Sequence, residues 1–421
     1  MRALRYTLLP ALALLGCSAG GSGGGSAAAA AATADGAQPR TPLASAPFQV
    51  QPVGTFDRPW AIAFLPDGRT LVTEVAGRLK LREVDGRVVD ISGIAAVAAG
   101  GQGGLLDVAP APDFARSGLV YITYSEPGEG GSGLALARGR LVAASGGARL
   151  DGLAVLWRQL PRGKGGQFGA IIAFSPDGKY LFLSSGERQR FTPAQDPDQA
   201  LGKILRLTLD GKPAPGNPAA GKTGAATVYV TDPPENTEIA KQTRGRAEPA
   251  PSPNLAPAET WSSGHRNPYG LAFAPDGRLW SEEMGPRGGD ELNLIEPGRN
   301  YGWPIVSEGD NYDGTPIPRH ASRPDLTAPA LWWNPSISPG GMIFYSGKLF
   351  PQWKGSAFIA ALSGKGLIRV VVNGATARKA EMWDFGARLR DVAEGPDGAI
   401  YVLEDGARGS AGRLLRLTPK R

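Results

Sequence analysis

Short apolar strands alternate with turns along most of this chain, and one phrase recurs. Its form is an apolar run, then Pro-Asp-Gly or a variant of it, then a second apolar run. Pro fixes φ, Asp accepts hydrogen bonds within the turn and Gly supplies a positive φ, so each copy predicts a β-hairpin. Six copies begin at Trp60, Leu105, Ile172, Leu271, Phe350 and Val392, of which the fifth is degenerate.

Hairpins repeated at intervals of tens of residues indicate the blades of a propeller or the turns of a solenoid. Six units over residues 46–421 favour an all-β, six-bladed β-propeller that forms one domain around a central channel. Each unit is longer than a four-stranded blade requires, which predicts long loops between strands. One of them is a surface insertion at about residues 211–258, which is rich in Pro, Gly, Ala and Lys. A pair of β-sandwiches is the alternative, but it does not explain the repeat. The 60 Gly and 37 Pro among 421 residues disfavour a helical bundle.

The first residues have the pattern of an export signal. Two Arg residues precede a short apolar run, which ends in Leu14-Leu15-Gly16-Cys17 and resembles the lipobox of bacterial lipoproteins. The resemblance implies that Cys17 is lipidated; an ordinary signal peptide with a chance Cys is the alternative. We therefore expect a signal peptide over 1–17, a Gly/Ser/Ala-rich flexible tether over 18–45 and a periplasmic protein held by its lipid anchor. Because Ser18 is not Asp, we expect the outer membrane.

Charge and rare residues exclude several functions. The formal net charge of +6 is too small to indicate a nucleic-acid partner, although it suits an anionic cofactor. One Cys excludes an internal disulfide, and two His exclude a three-His zinc site. His320 lies in a loop rich in Pro and Arg, and we expect it to be solvated.

Polar and charged residues are dense on both sides of the fourth hairpin. Residues 261–270 precede it, and residues 283–293 and 298–304 follow it, with aromatic residues among them. Clustered carboxylate, carbonyl and phenol oxygens suit a hard cation such as Ca²⁺. A salt-bridged cluster that only braces the structure explains the same composition equally well, so the residues alone leave both interpretations open.

At these residues the chain resembles the soluble aldose (glucose/sorbosone) dehydrogenases that use pyrroloquinoline quinone (PQQ). The resemblance covers about residues 48–419, and the family fold is a six-bladed propeller, in agreement with the repeat. It is carried by G-H-R-N-P-x-G at 264–270, G-P-x-x-x-D-E-x-N at 285–293 and N-Y-G-W-P at 300–304, with further matches at 102–106, 201–206 and 388–391.

The resemblance implies a cofactor site and two metal sites. Arg side chains bind carboxylates bidentately, which suits a quinone that carries several of them. The residues implied for PQQ are Gln102, Arg266, Asn267, Arg388 and Arg390, with Lys365 as a shifted equivalent of a family lysine. Those implied for Ca²⁺ are the carbonyls of Gly285 and Pro286, and for a second, structural Ca²⁺ Glu291 and Tyr301.

The implied reaction is hydride transfer from C1 of an aldose to the quinone, which gives a lactone. A general base takes the hydroxyl proton, while Arg266 and Ca²⁺ stabilise the negative charge that develops on the quinone oxygen. Electrons then pass to an acceptor, either a quinone or a redox protein.

One position departs from the family pattern. The family places its catalytic His before Phe-Gly, where this chain has Gln167, whose amide does not accept a proton near neutral pH. The family's Gly-Asp after the next strand becomes Gly186-Glu187, and the longer Glu187 is a possible substitute base. Two functions therefore stay open: a sugar dehydrogenase with a substituted base, and a non-catalytic envelope propeller that binds quinone, sugar or a partner.

Overall fold

The computed structural model describes residues 45–420, and the predicted signal peptide, Cys17 and nearly all of the predicted tether lie outside them. Over the described range the protein is all-β, as predicted, with a few short helices. The strands are β1 (Phe48–Thr55), β2 (Pro59–Phe64), β3 (Thr70–Glu74), β4 (Arg78–Arg82), β5 (Val88–Ser92), β6 (Leu105–Pro110), β7 (Leu119–Gly128), β8 (Gly131–Ala144), β9 (Gly147–Arg158), β10 (Gly169–Phe174), β11 (Tyr180–Ser185), β12 (Lys203–Thr208), β13 (Thr227–Val230), β14 (Arg246–Pro249), β15 (Thr260–Ser263), β16 (Pro268–Phe273), β17 (Leu279–Glu283), β18 (Asp290–Ile295), β19 (Leu331–Trp333), β20 (Pro339–Phe344), β21 (Ala357–Ala361), β22 (Gly366–Asn373), β23 (Thr376–Asp384), β24 (Leu389–Glu394), β25 (Ile400–Glu404) and β26 (Arg413–Pro419).

The strands form antiparallel groups of four. Four sheets have the orders β10-β11-β12-β15, β16-β17-β18-β19, β20-β21-β22-β23 and β1-β26-β25-β24. A fifth sheet joins the run β2-β3-β4-β5 to the run β9-β8-β7-β6 through a short parallel contact between β5 and β9. The remaining strands β13 and β14 pair with each other inside the segment 211–258.

Each predicted hairpin connects the first strand of a group to the second. The Pro-Asp-Gly turns join β2 to β3, β10 to β11, β16 to β17 and β24 to β25. In the first of them Gly68 has φ +89° and donates its N–H to Leu65 O at 2.9 Å, while Asp67 Oδ1 accepts from Arg69 N at 3.1 Å. The variants at 112–114 and 350–355 contain short helical turns, α1 (Phe114–Ser117) and a 3₁₀ turn (Pro351–Trp353). Local turn chemistry is therefore sufficient to place these hairpins.

The first strands of the groups contact one another in a closed ring. β2 contacts β6, and the contacts continue through β10, β16, β20 and β24 back to β2. Side-chain hydroxyls on the second strands tie neighbouring groups together: each accepts an N–H from its own first strand and donates to a carbonyl of the next. These hydroxyls belong to Thr73 (to Leu106 O, 2.6 Å), Thr123 (to Ala170 O, 2.8 Å) and Ser184 (to Pro268 O, 3.1 Å).

Both ends of the described chain lie in one sheet, where β1 is the outer partner of β26 from Phe48↔Pro419 to Thr55↔Arg413. Phe48 packs edge-on against Trp383 with ring centroids 5.3 Å apart, next to Trp353 and Phe358. This pairing completes the last sheet with the first strand and so closes the ring.

The segment 211–258 also contains α2 (Thr237–Gln242), and α3 (Ala256–Glu259) begins within its last residues. Asn236 caps α2, since its side chain accepts from Ile239 N at 2.8 Å. Within residues 45–420, no helix has the length and apolar character needed to cross a membrane.

Candidate active site

Half of the predicted site residues in the described range lie just before, or at the start of, the first strand of a group. Gln102 precedes β6, Gln167 precedes β10, and Arg266 and Asn267 precede β16. Their contacts show that these strand starts meet: Gln167 N donates to Gln102 Oε1 at 2.8 Å, and Gly169 N donates to Asn267 Oδ1 at 3.2 Å. The ring of first strands therefore gathers residues that are far apart in sequence.

Gln167, Glu187 and Arg266 are in direct contact at this end of the ring. In the orientation of the Gln167 amide that satisfies both neighbours, Nε2 donates to Glu187 Oε1, and Oε1 accepts from Arg266 Nη2 at 2.8 Å. Glu187 N also donates to Arg266 O at 3.0 Å. Gln167, at the predicted position of the family's base, and Glu187, its predicted substitute, thus form one hydrogen-bonded unit with the predicted cofactor-binding residue Arg266.

Glu187 is fully buried, and burial raises the pKa of its carboxyl group to about 7, against the opposing charge of Arg266 and backbone N–H groups of residues 189–191. The turn that surrounds this carboxylate is strained, because Arg188, Gln189 and Phe191 have φ between 58° and 64°. Gln167 itself has φ 55°. Strain of this kind persists where the surrounding contacts over-determine the backbone, as they do at functional sites.

Arg188 holds the loop that carries Gln167. Its guanidinium is buried and donates to Gly165 O at 2.7 Å, to Gly166 O at 3.1 Å and to Ser132 O at 2.9 Å. It also lies 3.9 Å from the centre of the Phe168 ring. We did not select Arg188 from the sequence, where it reads as one of several charged residues in a loop.

Arg390 faces two aromatic rings that the sequence did not identify as site residues. Its guanidinium lies 5.9 Å from the Trp60 ring and 5.8 Å from the Tyr269 ring. Burial lowers the pKa of Arg390, and within residues 45–420 its guanidinium has no hydrogen bond or ion pair. Tyr269 OH also donates to Gln102 Oε1 at 3.3 Å, which connects Arg390 to the rest of the site.

Two more cationic side chains predicted to bind the cofactor, Arg388 and Lys365, differ from Arg390 in their contacts. Arg388 pairs with Asp405, Nε to Oδ2 at 2.5 Å. Lys365 is exposed in the turn between β21 and β22, and its side chain makes no hydrogen bond or ion pair with the described residues. The structure therefore does not bring Lys365 into contact with the other site residues.

The four predicted metal ligands line one small cavity, together with Arg266 and Trp303. Three of them already have partners: Gly285 O accepts from Arg266 Nη1 at 2.7 Å, Glu291 Oε2 accepts from Asn293 Nδ2 at 3.1 Å, and Tyr301 O pairs with His320 Nε2 at 3.1 Å. The Tyr301 hydroxyl donates to Leu294 O. Among the described residues there is no cluster of three or more His, Cys, Asp or Glu suited to a metal ion.

The expectation that His320 is solvated was wrong. Its side chain is buried, and Nδ1 pairs with Glu308 Oε1 at 3.1 Å. Burial alone would lower the pKa of His320, but the Glu308 hydrogen bond and the charge of Glu291 raise it to about 9. Burial in turn raises the pKa of Glu291 to about 8. No sequence pattern indicates this cluster, because its members come from strand β18 and from two separate positions later in the chain.

A buried carboxylate lies close to the ring of first strands. Glu282 on β17 is fully buried, and neither of its carboxylate oxygens has a hydrogen-bond partner in the described part of the chain. Burial raises the pKa of Glu282 well above its usual value, and the like charges of Asp290, Glu283 and Asp391 add to the effect.

The structure defines a class of protein: a β-propeller with a polar site at one end of its ring of strands. The sheets are built from groups of four strands, and the side chains at that end are cationic groups and amides. The chain belongs to the Glucose / Sorbosone dehydrogenase family, whose sequence profile matches residues 56–231 and 243–416. The family predicted from the motifs is thereby confirmed.

Named relatives agree with this assignment. The chain is 39% identical over 376 residues to Aldose sugar dehydrogenase YliI of Escherichia coli, covering 86% of this chain and 91% of that protein. The crystal structure of the soluble aldose sugar dehydrogenase of Escherichia coli in its apo-form matches with TM-score 0.74 and 36% identity over 89% of this chain and 100% of the other. The PQQ-bound aldose sugar dehydrogenase of Streptomyces coelicolor matches with TM-score 0.65 and 28% identity over 90% and 100%. The chain is thus related to sugar oxidoreductases.

Proposed function

We propose that this protein is a six-bladed, PQQ-dependent dehydrogenase that oxidises an aldose at C1 to a lactone. The observation that carries the proposal is the group of buried or half-buried donors without acidic partners at one end of the ring. Arg390 has no ion-pair partner among the described residues, and Arg266 Nε is buried without a hydrogen-bond acceptor there. Cationic donors left in this state suit a planar ligand that carries carboxylates.

The residues present fit such a cofactor. Arg266 and Arg390 would hold its carboxylate and carbonyl oxygens, and Gln102 and Asn267 would fix its orientation. Arg388 would contribute positive charge from its pair with Asp405, and Lys365 would join only if the turn between β21 and β22 moved. When bound, PQQ supplies the two-electron acceptor of the reaction. The Trp60 and Tyr269 rings exclude water from one side of Arg390.

Ca²⁺ belongs to the same proposal. One cavity lined by Gly285, Pro286, Glu291 and Tyr301 offers carboxylate and carbonyl oxygens, the donors that Ca²⁺ prefers. Arg266 now donates to the Gly285 carbonyl, so a cation at this oxygen would require the guanidinium to turn away. If a metal ion binds here, a chelator should weaken cofactor binding.

The proton from the sugar hydroxyl requires an acceptor other than Gln167. We propose that Glu187 takes this proton. Its carboxylate now accepts from the Gln167 amide, so the Gln167 side chain must swing aside before Glu187 Oε1 faces the substrate. A pKa of about 7 suits a general base that works near neutral pH.

A second function is favoured by Gln167. With Gln167 in the family's base position and Glu187 covered by its amide, the site has the features of a binding protein as well. In that case the protein is a non-catalytic propeller of the cell envelope that binds quinone, sugar or a partner. Reconstitution of the apo-protein with PQQ and Ca²⁺, followed by aldose-dependent dye reduction, separates the two functions. Quinone binding without dye reduction for any aldose would establish the second.

We further propose that the protein is periplasmic and attached to the outer membrane through lipid on Cys17. This would place the active site where aldoses arrive and where membrane quinones or soluble redox proteins accept electrons.

A further inference from the structure

We infer that Tyr312 determines which aldoses the site accepts, by forming an aromatic platform at its mouth, and that α2 holds this platform in place. The inference rests on the proposed function, because it assigns a sugar to the space beside Arg266.

Tyr312 is an exposed aromatic residue that contacts a buried site residue. Its side chain is 69% exposed, while Arg266 is only 6% exposed. Arg266 Nη2 donates to the Tyr312 hydroxyl at 3.4 Å, and the guanidinium lies 5.9 Å from the Tyr312 ring and 5.2 Å from the buried Trp303 ring. Tyr312 therefore stands at the boundary between the site and solvent, with most of its ring uncovered.

A tight turn fixes the backbone on both sides of Tyr312. Gly314 N donates to Asn311 O at 2.9 Å, and Asn311 N donates to Thr315 O at 3.0 Å. Asp313 Oδ1 accepts from Thr315 N at 2.8 Å. These hydrogen bonds fix the backbone that carries the Tyr312 side chain.

The N-terminus of α2 clamps this turn through two buried residues. Thr237 N donates to Asn311 Oδ1 at 3.1 Å, and Asn311 Nδ2 donates back to Thr237 Oγ1 at 3.0 Å. Asn236 caps α2 and at the same time donates through Nδ2 to Asp313 Oδ2 at 2.6 Å. Asn311 and Thr237 are 2% and 1% exposed, so the hydrogen bonds between them are shielded from competing water, whereas Asp313 is exposed.

Only one side of the clamp lies within the residues that the family profile matches. The family profile matches up to residue 231 and resumes at residue 243, so α2 and its cap fall in the unmatched segment between them. α2 thus holds the turn beside Arg266 from a segment that the profile does not match. Segments outside the strands commonly shape the entrance of a site that a rigid scaffold supports.

The ligand class follows from the chemistry of the platform. The apolar C–H face of a pyranose packs on an aromatic ring, and the ring hydroxyls then remain free for hydrogen bonds. The long contact from Arg266 leaves the Tyr312 hydroxyl able to exchange partners with a sugar hydroxyl. We therefore assign to Tyr312 the recognition of an aldose in its pyranose form.

The test compares Tyr312→Ala, Tyr312→Phe and Asn236→Ser with the full-length parent. Ser retains the cap of α2 but removes the amide group whose Nδ2 donates to Asp313. Tyr229→Ala is the matched control, since Tyr229 is 49% exposed on β13 in the same insertion. Two quantities are measured for D-glucose, D-galactose and maltose: steady-state kcat and KM after PQQ loading, and the Kd from a ligand-observed NMR titration of the apo-protein.

We expect Tyr312→Ala to raise KM and Kd about 3- to 10-fold, with kcat and PQQ affinity nearly unchanged, and Tyr312→Phe to stay within about twofold. Asn236→Ser should shift KM in the same direction and add nothing in the Tyr312→Ala background. Equal Kd for the parent and Tyr312→Ala, or no aldose binding to the parent, would overturn the inference. Aldose binding that Tyr312→Ala weakens, without oxidation by the parent, would support the platform while refuting the dehydrogenase function.

Discussion

The role of Glu187 leads to the sharpest test of the proposed chemistry. Glu187→Gln keeps the shape of the side chain and removes its ability to accept a proton. If Glu187 is the general base, the substitution lowers kcat by about 10²- to 10⁴-fold, the usual contribution of general-base assistance. The variant should still bind PQQ, because none of the donors assigned to the cofactor is changed.

The pH dependence follows from the buried position of Glu187. Burial raises its pKa to about 7, and only the deprotonated form accepts a proton. The ionised fraction of such a group is about one tenth at pH 6 and about nine tenths at pH 8, so kcat of the parent should rise about tenfold across this interval. Glu187→Gln should abolish that rise.

The assay is aldose-dependent dye reduction by protein loaded with PQQ and Ca²⁺, measured from pH 5.5 to 8.5. Glu259→Gln is the control, because Glu259 is also a buried carboxyl group with a raised pKa, but it pairs with Trp157 Nε1 at 2.9 Å away from this site. Gln167→His tests the opposite possibility, that the family arrangement is merely impaired. A flat profile in the parent, or full activity in Glu187→Gln, would refute the reasoning, and a gain confined to Gln167→His would return the role to position 167.

Three further predictions follow. Arg390→Ala should weaken PQQ binding by about tens to thousands of fold, because it removes a charge-assisted contact. A chelator should likewise weaken PQQ binding to the parent protein. Fluorescence titration would measure both effects, with substitution of the exposed Arg116 (Arg116→Ala) as the control. The raised pKa of Glu282 means that the folded state keeps a proton that the unfolded state releases, so stability is lost as pH rises, by at most about 1.4 kcal/mol per pH unit. Glu282→Gln should therefore raise Tm more at pH 8 than at pH 5, and an equal gain at both would contradict this. Cys17→Ala should release the protein from the membrane fraction and remove the mass of the lipid; unchanged fractionation would exclude the anchor.

Local turn chemistry explains why the hairpins could be predicted. The Pro-Asp-Gly turn before Thr70 needs only residues within a few positions of each other, and the flanking apolar runs supply both strands. The motif around Arg266 and Asn267 was equally visible, because its residues are contiguous. Tyr269 was within that same motif and could have been selected as an aromatic neighbour of the site.

Long-range contacts explain what could not be predicted. The pairing of β1 with β26, the burial of His320 against Glu308 and the pairing of Arg388 with Asp405 join residues from separate turns or separate ends of the chain. A solvated loop and a buried one can have the same composition. The packing of α2 against the turn at Tyr312 likewise could not be predicted, because α2 lies in a segment rich in Pro, Gly and Ala that has no distinctive pattern.

The sequence by itself determined that this protein is all-β and that its strands come in repeated hairpins, and it predicted that Gln167 stands where the family has its base. Each of these conclusions depends on residues adjacent in the chain. Only the tertiary structure decided that Gln167 contacts Glu187 and Arg266, that Arg390 is left without an acidic partner in the described range, and that Tyr312 stands beside Arg266. The reason is that burial and electrostatic environment are properties of the space around a side chain, and the closing of the ring creates that space.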